Sequence, residues 1–177
     1  MLTIEEIERL IRDVPDFPKK GVIFKDITTV MTSPGALGDT VTHMQESVDD
    51  LGYDAVAAIE SRGFIFGAVL AAREGLPLVL VRKPGKLPAE TIAEDYQLEY
   101  GSNTVEIHRG SLPPGSRVLL VDDLVATGGS MLAASRLVER DGSEVAGAVA
   151  VINLQFLGGG DRITGSGVEY RYLISIE

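Results

Sequence analysis

The stretch at 118–130 restricts the fold of this chain more than any other part of the sequence. An aliphatic run at 118–121 is followed by Asp122 and Asp123, and a small, glycine-rich run at 126–130 comes next. A short apolar run closed by polar residues predicts a strand buried on both faces, as in a parallel sheet. In open α/β sheets, the carboxyl end of such a strand is where ligands bind.

The glycine-rich run leads into a predicted helix. Residues with apolar or small side chains recur behind it at the spacing of one helical face: Met131, Ala134, Ser135 and Val138. The free N–H groups and the dipole at a helix N-terminus favour negative charge. The sequence therefore predicts that this loop holds a phosphate group.

The two acidic residues need a different partner, because carboxylates beside a phosphate would repel it. Sugar hydroxyls donate well to carboxylates, and a divalent metal ion would also suit them. A ribose 5-phosphate would satisfy both halves of the stretch, with its phosphate in the loop and its hydroxyls on Asp122 and Asp123. The alternative is an acidic turn followed by an ordinary helix cap.

Four segments together resemble one family. The stretch at 118–130 resembles the phosphoribosyl diphosphate (PRPP) binding motif of type I phosphoribosyltransferases. Three more segments resemble the same family, and in particular its members that act on adenine: Ile-Glu-Ser-Arg-Gly-Phe at 59–64, Val-Arg-Lys-Pro-Gly-Lys-Leu-Pro at 81–88 and Leu-Glu-Tyr-Gly at 98–101. The resemblance runs from about residue 17 to the last predicted strand.

The resemblance implies a single α/β domain over residues 1–177 with the type I phosphoribosyltransferase fold. Its centre would be a mostly parallel, twisted sheet flanked by helices. A small hood would occupy about 1–35, the core 36–177, and a flexible hairpin lid about 84–108. A strained peptide between Glu60 and Ser61, in the cis form, is also implied, as is a homodimer.

The resemblance also assigns residues to each part of the substrates. The ribose and its 5-phosphate would be bound by Asp122, Asp123, Leu124, Val125, Ala126, Thr127, Gly128, Gly129 and Ser130. Pyrophosphate would be bound by Ser61, Arg62, Gly63, Arg82, Lys83 and Lys86. The hood residues for the adenine base would be Val22, Ile23, Phe24 and Lys25, where many relatives have Arg in place of Lys25. The residues implied to be catalytic are Glu99, Tyr100 and Arg62.

The pyrophosphate assignment also has support from the residues themselves. Arg62 follows one predicted core strand, at 54–59, and Arg82 and Lys83 follow the next, at 78–81. Cations at two strand ends on one sheet edge would form an anion site, although a surface charge run is often only a solvated face.

Residue 126 bears on the identity of the base. Relatives that act on 6-oxopurines have an Asp just before the Thr-Gly of this motif, whereas this chain has Ala126. The group that handles the proton must then come from elsewhere, and Glu99, with Tyr100 beside it, is the candidate. The alternative for Glu99 is an ordinary solvated charge on a hairpin.

The lid is predicted from an irregular segment at 84–95 that leads into a hairpin. Alternating strands at 96–100 and 104–108 are expected, joined by a turn at 101–103. A long irregular segment before a hairpin is more often a lid than part of a core, and the alternative is a disordered insertion. The glycines at 158–160 match no nucleotide-binding motif and predict a loop.

Composition excludes several classes of function. A net charge of −10 argues against a nucleic-acid partner, which normally needs a basic face. The chain has no Cys and only His43 and His108, so disulfides, thiolate zinc sites and His-rich metal sites are excluded. Without an apolar run of ~18 residues or a signal core, neither a membrane span nor secretion is indicated, and a cytoplasmic enzyme is expected. Mg²⁺ is expected as the cofactor, held mainly by substrate oxygens, with Asp122 and Asp123 as the candidate protein ligands.

The expected reaction is purine salvage, in which PRPP and adenine give AMP and pyrophosphate. One alternative is transfer to another purine such as hypoxanthine, guanine or xanthine, and Ala126 argues against it. A second is a PRPP-sensing regulator that binds DNA, which would need a basic or helix-turn-helix element that this sequence does not show.

Overall fold

The computed structural model describes residues 1–98 and 101–177. Its helices and strands follow one another along the chain as α1 (Ile4–Leu10), β1 (Arg12–Pro15), β2 (Ile23–Asp26), α2 (Thr28–Thr32), α3 (Ala36–Val48), β3 (Ala55–Ile59), α4 (Gly63–Glu74), β4 (Leu78–Val81), β5 (Thr91–Leu98), β6 (Gly101–His108), β7 (Arg117–Val125), α5 (Gly129–Arg140), β8 (Glu144–Leu154), α6 (Gly159–Gly165) and β9 (Tyr170–Ile176). A single turn of 3-10 helix, Gln155–Leu157, connects β8 to α6.

The core is a five-stranded sheet in the order β4-β3-β7-β8-β9, and every pairing in it is parallel. All five residues of β3 are buried. Strands covered on both faces read as continuous apolar runs, which is why the sequence predicted β3 well. The parallel register brings the carboxyl ends of β3, β4 and β7 to one edge of the sheet, and the predicted α/β fold is confirmed.

Strand β7 is longer than its apolar run predicts, because it continues past residue 121 to Val125. Asp122 pairs with Ala150 of β8, and Val125 pairs with Asn153. The long neighbouring strand β8 extends the ladder, so the two acidic residues lie within the strand rather than just after it. Both are consequently buried, at 7% and 5% exposure.

The N-terminal hairpin, β1 with β2, forms a small sheet of its own. Residues directly opposite each other in its register make two ion pairs: Arg12 with Asp26 and Lys25 with Asp13. The hairpin follows α1, whose first turn is closed by a capping box between Thr3 and Glu6. Local pairing therefore orders this segment next to the core.

The second hairpin differs from its prediction in two ways. Residues 91–95 belong to β5, although they were expected to be irregular, and Asn103 is in β6, paired with Tyr96. Gly101, Ser102 and Asn103 pair with residues 98, 97 and 96 of β5, so the predicted turn at 101–103 is wrong. Pairing between the two strands thus outweighs the turn preference of Gly101. Glu99 and Tyr100 lie outside the described residues.

The glycines at 158–160 are not simply a loop, which corrects a second prediction. Gly158 has a left-handed conformation and caps α6, and Gly159 and Gly160 form the first turn of that helix. Among the residues that the structure describes, every helix is too short or too polar to cross a membrane.

Candidate active site

A cleft of about 280 Å³ lies at the carboxyl edge of the sheet. It brings together residues from the ends of β3, β4 and β7 that the sequence predicted separately, and its lining is Glu60, Ser61, Arg62, Lys83, Asp122, Asp123 and Leu124. Two basic and three acidic side chains therefore share one small space. Such a space can hold an anion only if the carboxylates are occupied by other partners.

Arg62 is the centre of this arrangement. Its Nε donates to Oδ2 of Asp123 over 2.5 Å, between a residue after β3 and one within β7. The same guanidinium lies over the ring of Phe24, 5.6 Å from the ring centroid. Phe24 makes an edge contact with Phe17 at 5.1 Å. Arg62 thus links the N-terminal hairpin to the central strand.

Asp122 and Asp123 form a buried carboxyl pair. Burial raises the pKa of Asp122 well above its usual range, and the neighbouring charge of Asp123 raises it further. The backbone N–H of Asp123 donates to Oδ1 of Asp122 over 2.8 Å and fixes the side chain. Carboxyl groups held in this way can accept hydrogen bonds from sugar hydroxyls or bind a divalent cation, which would favour their ionised form.

Glu60 organises the opposite side of the cleft. Its Oε2 accepts the backbone N–H of Lys83 at 3.0 Å and Nε of Arg82 at 3.2 Å. Burial alone would raise the pKa of Glu60, but these hydrogen bonds and the two positive charges outweigh it and lower that pKa. Arg82 also donates to the carbonyl of Lys86 at 3.1 Å. The Glu60–Ser61 peptide is cis, as expected.

The glycine-rich loop leaves a helix N-terminus open. Gly128 has φ +77° and caps α5 without a side chain, so the first N–H groups of this helix have no capping hydroxyl or carboxylate. Strand β5 of the second hairpin reaches the loop, because a Cβ on Gly129 would lie 2.7 Å from the Tyr96 ring. The loop is therefore a crowded backbone cradle with free donors.

A second cavity, of about 560 Å³, lies between the N-terminal hairpin and the ends of β8 and β9. Three of the four residues predicted to bind the base line it, namely Val22, Ile23 and Lys25. Phe24 does not line it and instead contacts Arg62 and Phe17. The Lys25 ammonium pairs with Asp13 at 2.7 Å, so its side chain is already engaged.

Sequence reasoning missed the far wall of this cavity, which is formed by Leu154, Phe156, Leu157 and Ile176. Phe156 is 65% exposed. Large apolar side chains directly after the carboxyl end of a core strand were a signal that could have identified them. The cavity is apolar enough to accept the face of a flat ring.

The remaining predicted residues are placed as follows. Arg82 and Lys86 do not line the first cleft, although Arg82 is bonded to Glu60, which does. The predicted catalytic residues Glu99 and Tyr100 are outside the described residues. Across residues 1–98 and 101–177, no three His, Cys, Asp or Glu side chains converge to hold a metal ion by themselves.

Comparison with known proteins agrees with this geometry. The family profile described as "Phosphoribosyl transferase domain" matches residues 36–169. Adenine phosphoribosyltransferase from Erythrobacter litoralis is 46% identical over 99% of this chain and 99% of its own length. The crystal structure of adenine phosphoribosyltransferase from Thermoanaerobacter pseudethanolicus superposes with a TM-score of 0.94, with 45% identity over 98% of this chain and 100% of that one.

A third comparison is with the Saccharomyces cerevisiae adenine phosphoribosyltransferase, crystallised with an imino-altritol bisphosphate and adenine. It is 35% identical, with a TM-score of 0.87 and coverage of 96% of this chain and 97% of that one. These similarities span the sheet, the cleft and the N-terminal hairpin. The chain belongs to the phosphoribosyltransferase family and, within it, to the adenine phosphoribosyltransferases.

Proposed function

We propose that this chain transfers the 5-phosphoribosyl group from PRPP to adenine, giving AMP and pyrophosphate. One observation carries the proposal: the uncapped N-terminus of α5 directly follows the buried carboxyl pair of β7. The carboxyl pair suits the two sugar hydroxyls of a ribose 5-phosphate, and the helix N-terminus suits its phosphate. The relatives named as adenine phosphoribosyltransferases over nearly the whole chain support the choice of base.

In this proposal, PRPP lies along the carboxyl edge of the sheet. Its 5-phosphate is bound by backbone N–H groups at 127–130, and its ribose hydroxyls by Asp122 and Asp123. Its pyrophosphate lies across Arg62 and the backbone that follows it, with Arg82, Lys83 and Lys86 beyond. The reaction builds positive charge on the ribose carbon and negative charge on the leaving group, so the strand-end cations stabilise the departing pyrophosphate.

The carboxyl pair fits a Mg²⁺ ion that is shared with substrate oxygens. Mg²⁺ prefers carboxylate and phosphate oxygens, and it keeps several ligands that the protein does not supply. Asp122 and Asp123 provide the only protein ligands that the proposal needs. When bound, the ion would neutralise charge on the leaving pyrophosphate.

Adenine is proposed to enter the 560 Å³ cavity beneath Val22 and Ile23. Ala126 leaves the phosphate loop without an acid, so Glu99 is proposed to exchange a proton with the base, with Tyr100 beside it. We propose that residues 1–35 form a hood and residues 84–108 a lid. The contact between Tyr96 and Gly129 supports the lid, because it places β5 against the phosphate loop. A cytoplasmic homodimer completes the proposal.

A panel of bases tests this function. The purified chain is incubated with PRPP, MgCl₂ and adenine, hypoxanthine, guanine or xanthine, and nucleotide formation is measured by chromatography. We expect AMP from adenine at a kcat/KM at least ~100-fold above that for any 6-oxopurine, since a site built to hydrogen-bond one base discriminates strongly. IMP, GMP or XMP as the main product would contradict the choice of base. PRPP binding without any nucleotide product would favour a regulator.

Glu99 gives a sharper test of the base side. Replacing a general acid–base group typically lowers kcat by ~10²- to 10⁴-fold, and we expect Glu99→Gln to fall in that range. The KM for PRPP should stay within a few-fold of wild type, since Asp122 and the loop hold PRPP. Parallel loss of PRPP binding would show that Glu99 only supports the lid. An unchanged kcat would place the proton transfer elsewhere.

A further inference from the structure

Gly159, the first residue of α6, lies against the proposed phosphate loop. A Cβ on Gly159 would overlap the carbonyl oxygen of Ala126 and would lie 2.7 Å from the backbone nitrogen of Gly128. Real Cβ atoms do not approach backbone atoms this closely. Only glycine therefore allows α6 to start in direct contact with the loop.

The contact is reciprocal. Gly128 has φ +77°, and a Cβ there would lie 2.8 Å from the carbonyl oxygen of Gly159. Two backbones, about 30 residues apart in sequence, thus pack directly on each other with no side chain between them. Ile163 is fully buried and anchors α6, so the helix is a fixed support.

Arg162 adds a polar contact to this support. Its Nη1 donates to the carbonyl oxygen of Thr127 over 2.7 Å, and the rest of its side chain is exposed. In a trans peptide the carbonyl and the following N–H point in opposite directions. Because the Thr127 carbonyl points to Arg162, the N–H of Gly128 points away from it, toward the opposite face of the loop.

We infer that Gly159 and Arg162 are positioning residues that hold the phosphate loop in its anion-binding conformation before PRPP arrives. They act through the loop backbone, and the role rests on the proposed function because it presumes a phosphate in this loop. When a loop is competent to bind for only part of the time, the apparent affinity equals the intrinsic affinity multiplied by that competent fraction. Loss of this support should therefore weaken phosphate-bearing ligands and leave the base side unaffected.

The main test compares Arg162→Met with Arg162→Lys. Methionine keeps much of the side-chain length but removes the donor, whereas lysine can still donate one hydrogen bond to Thr127. Arg171→Met is the matched control, because Arg171 is a partly exposed cation on β9 that pairs with Asp50 and Glu169, away from the loop. Each variant is assayed for kcat and for the KM of PRPP and of adenine, and the Kd of AMP is measured by calorimetry.

We expect Arg162→Met to raise both the PRPP KM and the AMP Kd about tenfold, the size of one lost hydrogen bond to a charged group. The adenine KM at saturating PRPP should change less than about twofold, and Arg162→Lys should recover most of the loss. The control should match wild type in all four quantities. The melting temperature of Arg162→Met should stay within about 2 °C of wild type, as for most exposed substitutions.

Gly159→Ala tests the backbone contact, with Gly165→Ala as its control. Gly165 ends the same short helix and has open space where a Cβ would be. We expect the AMP Kd to rise more than about tenfold for Gly159→Ala, because the loop must shift to admit the methyl group, and less than about twofold for the control. The Arg162 variants decide the question if Gly159→Ala does not fold.

Two failures are distinguishable. If wild-type protein makes no AMP from adenine and PRPP, the proposed function fails. If wild type makes AMP but Arg162→Met has a wild-type PRPP KM and AMP Kd, the positioning role is overturned. Equal increases in the KM of PRPP and the KM of adenine, together with a lower melting temperature, would also overturn it. Such a result would indicate a general structural role.

Discussion

The two proposed anion-binding regions of this chain are built from opposite materials. The loop at 126–130 offers backbone N–H groups, fixed by glycine contacts and by a hydrogen bond from Arg162 to Thr127. The strand-end region at 60–62 and 82–83 offers side-chain cations, and two of them already pair with carboxylates, Arg62 with Asp123 and Arg82 with Glu60. The first region is ready for an anion, while the second must exchange partners to receive one.

This difference suits the two ends of PRPP. The 5-phosphate stays attached to the product, so a neutral and rigid cradle can bind it throughout the reaction. The pyrophosphate must leave, and cations that return to nearby carboxylates release it more readily than cations left unpaired. Strong interactions only in the transition state raise kcat, whereas uniform binding does not.

The largest effect should come from breaking the rigid cradle. Gly128→Ala places a Cβ at φ +77° and 2.8 Å from the Gly159 carbonyl oxygen. A non-glycine residue in this conformation costs ~1–3 kcal/mol before any overlap is counted, so we expect the PRPP KM to rise by ~10²-fold or more. The PRPP KM is measured by steady-state kinetics with PRPP as the varied substrate.

Gly115→Ala is the matched control for this substitution. Gly115 has a similar φ of +81° in the turn before β7, but a Cβ there would meet nothing within 4 Å. It should lower stability and leave the PRPP KM unchanged. If the PRPP KM rose to the same degree in both variants, the effect would reflect global stability and not the cradle.

The next effect concerns the carboxyl pair that separates the two regions. Asp122→Asn keeps an oxygen for the Asp123 N–H but removes the charge that would bind ribose hydroxyls and Mg²⁺. We expect kcat/KM for PRPP to fall tenfold or more, about 1.4 kcal/mol. Wild-type kinetics would contradict the assignment of this pair to the ribose.

The same variant should be more stable than wild type at neutral pH. The folded pKa of Asp122 is raised by burial and by Asp123, so the folded state binds more protons than the unfolded chain between the ordinary carboxyl pKa and the raised value. Stability of the wild type therefore falls as the pH rises through that window. Asparagine does not ionise, so the variant should melt at least about 2 °C higher at pH 7, with the difference vanishing near pH 3. A lower melting temperature at pH 7 would show that the pair is not strained in the free protein.

The smallest effect should come from the exchangeable region. Glu60→Gln keeps an acceptor for the Lys83 N–H but weakens the hold on Arg82, an interaction between partly exposed groups. Pairs of this kind contribute ~0.2–1 kcal/mol, so we expect the PRPP KM to change by no more than about fivefold. Pyrophosphate should inhibit the variant more strongly, because Arg82 has lost its competing carboxylate. A rise in the PRPP KM as large as that expected for Gly128→Ala would mean that the two regions do not differ in rigidity.

Local patterns predicted much of the core. The predicted strand at 78–81 has the same bounds in the structure, and the strand predicted at 54–59 is β3, Ala55–Ile59. These features depend on residues next to one another, so they can be predicted from a single sequence. The strand–loop–helix around the carboxyl pair was predicted for the same reason.

Features that depend on distant contacts were not predicted. A turn was predicted at 101–103 because Gly101 favours turns, yet residues 101–103 pair with 96–98 within the second hairpin. The glycines at 158–160 have no periodic signal, and the role of Gly159 requires the loop at 126–128 to lie against it. The pairing of Arg62 with Asp123 joins residues 61 positions apart, and no local pattern indicates it.

A crystal structure of the chain with AMP would test the central claim most directly, namely that a fixed backbone cradle binds the 5-phosphate. We predict that the phosphate accepts hydrogen bonds from N–H groups at 127–130, with the ribose hydroxyls on Asp122 and Asp123. The Thr127 carbonyl should remain bonded to Arg162, with the loop backbone unmoved. A phosphate bound instead to Arg82 and Lys83, with the loop empty, would contradict the account.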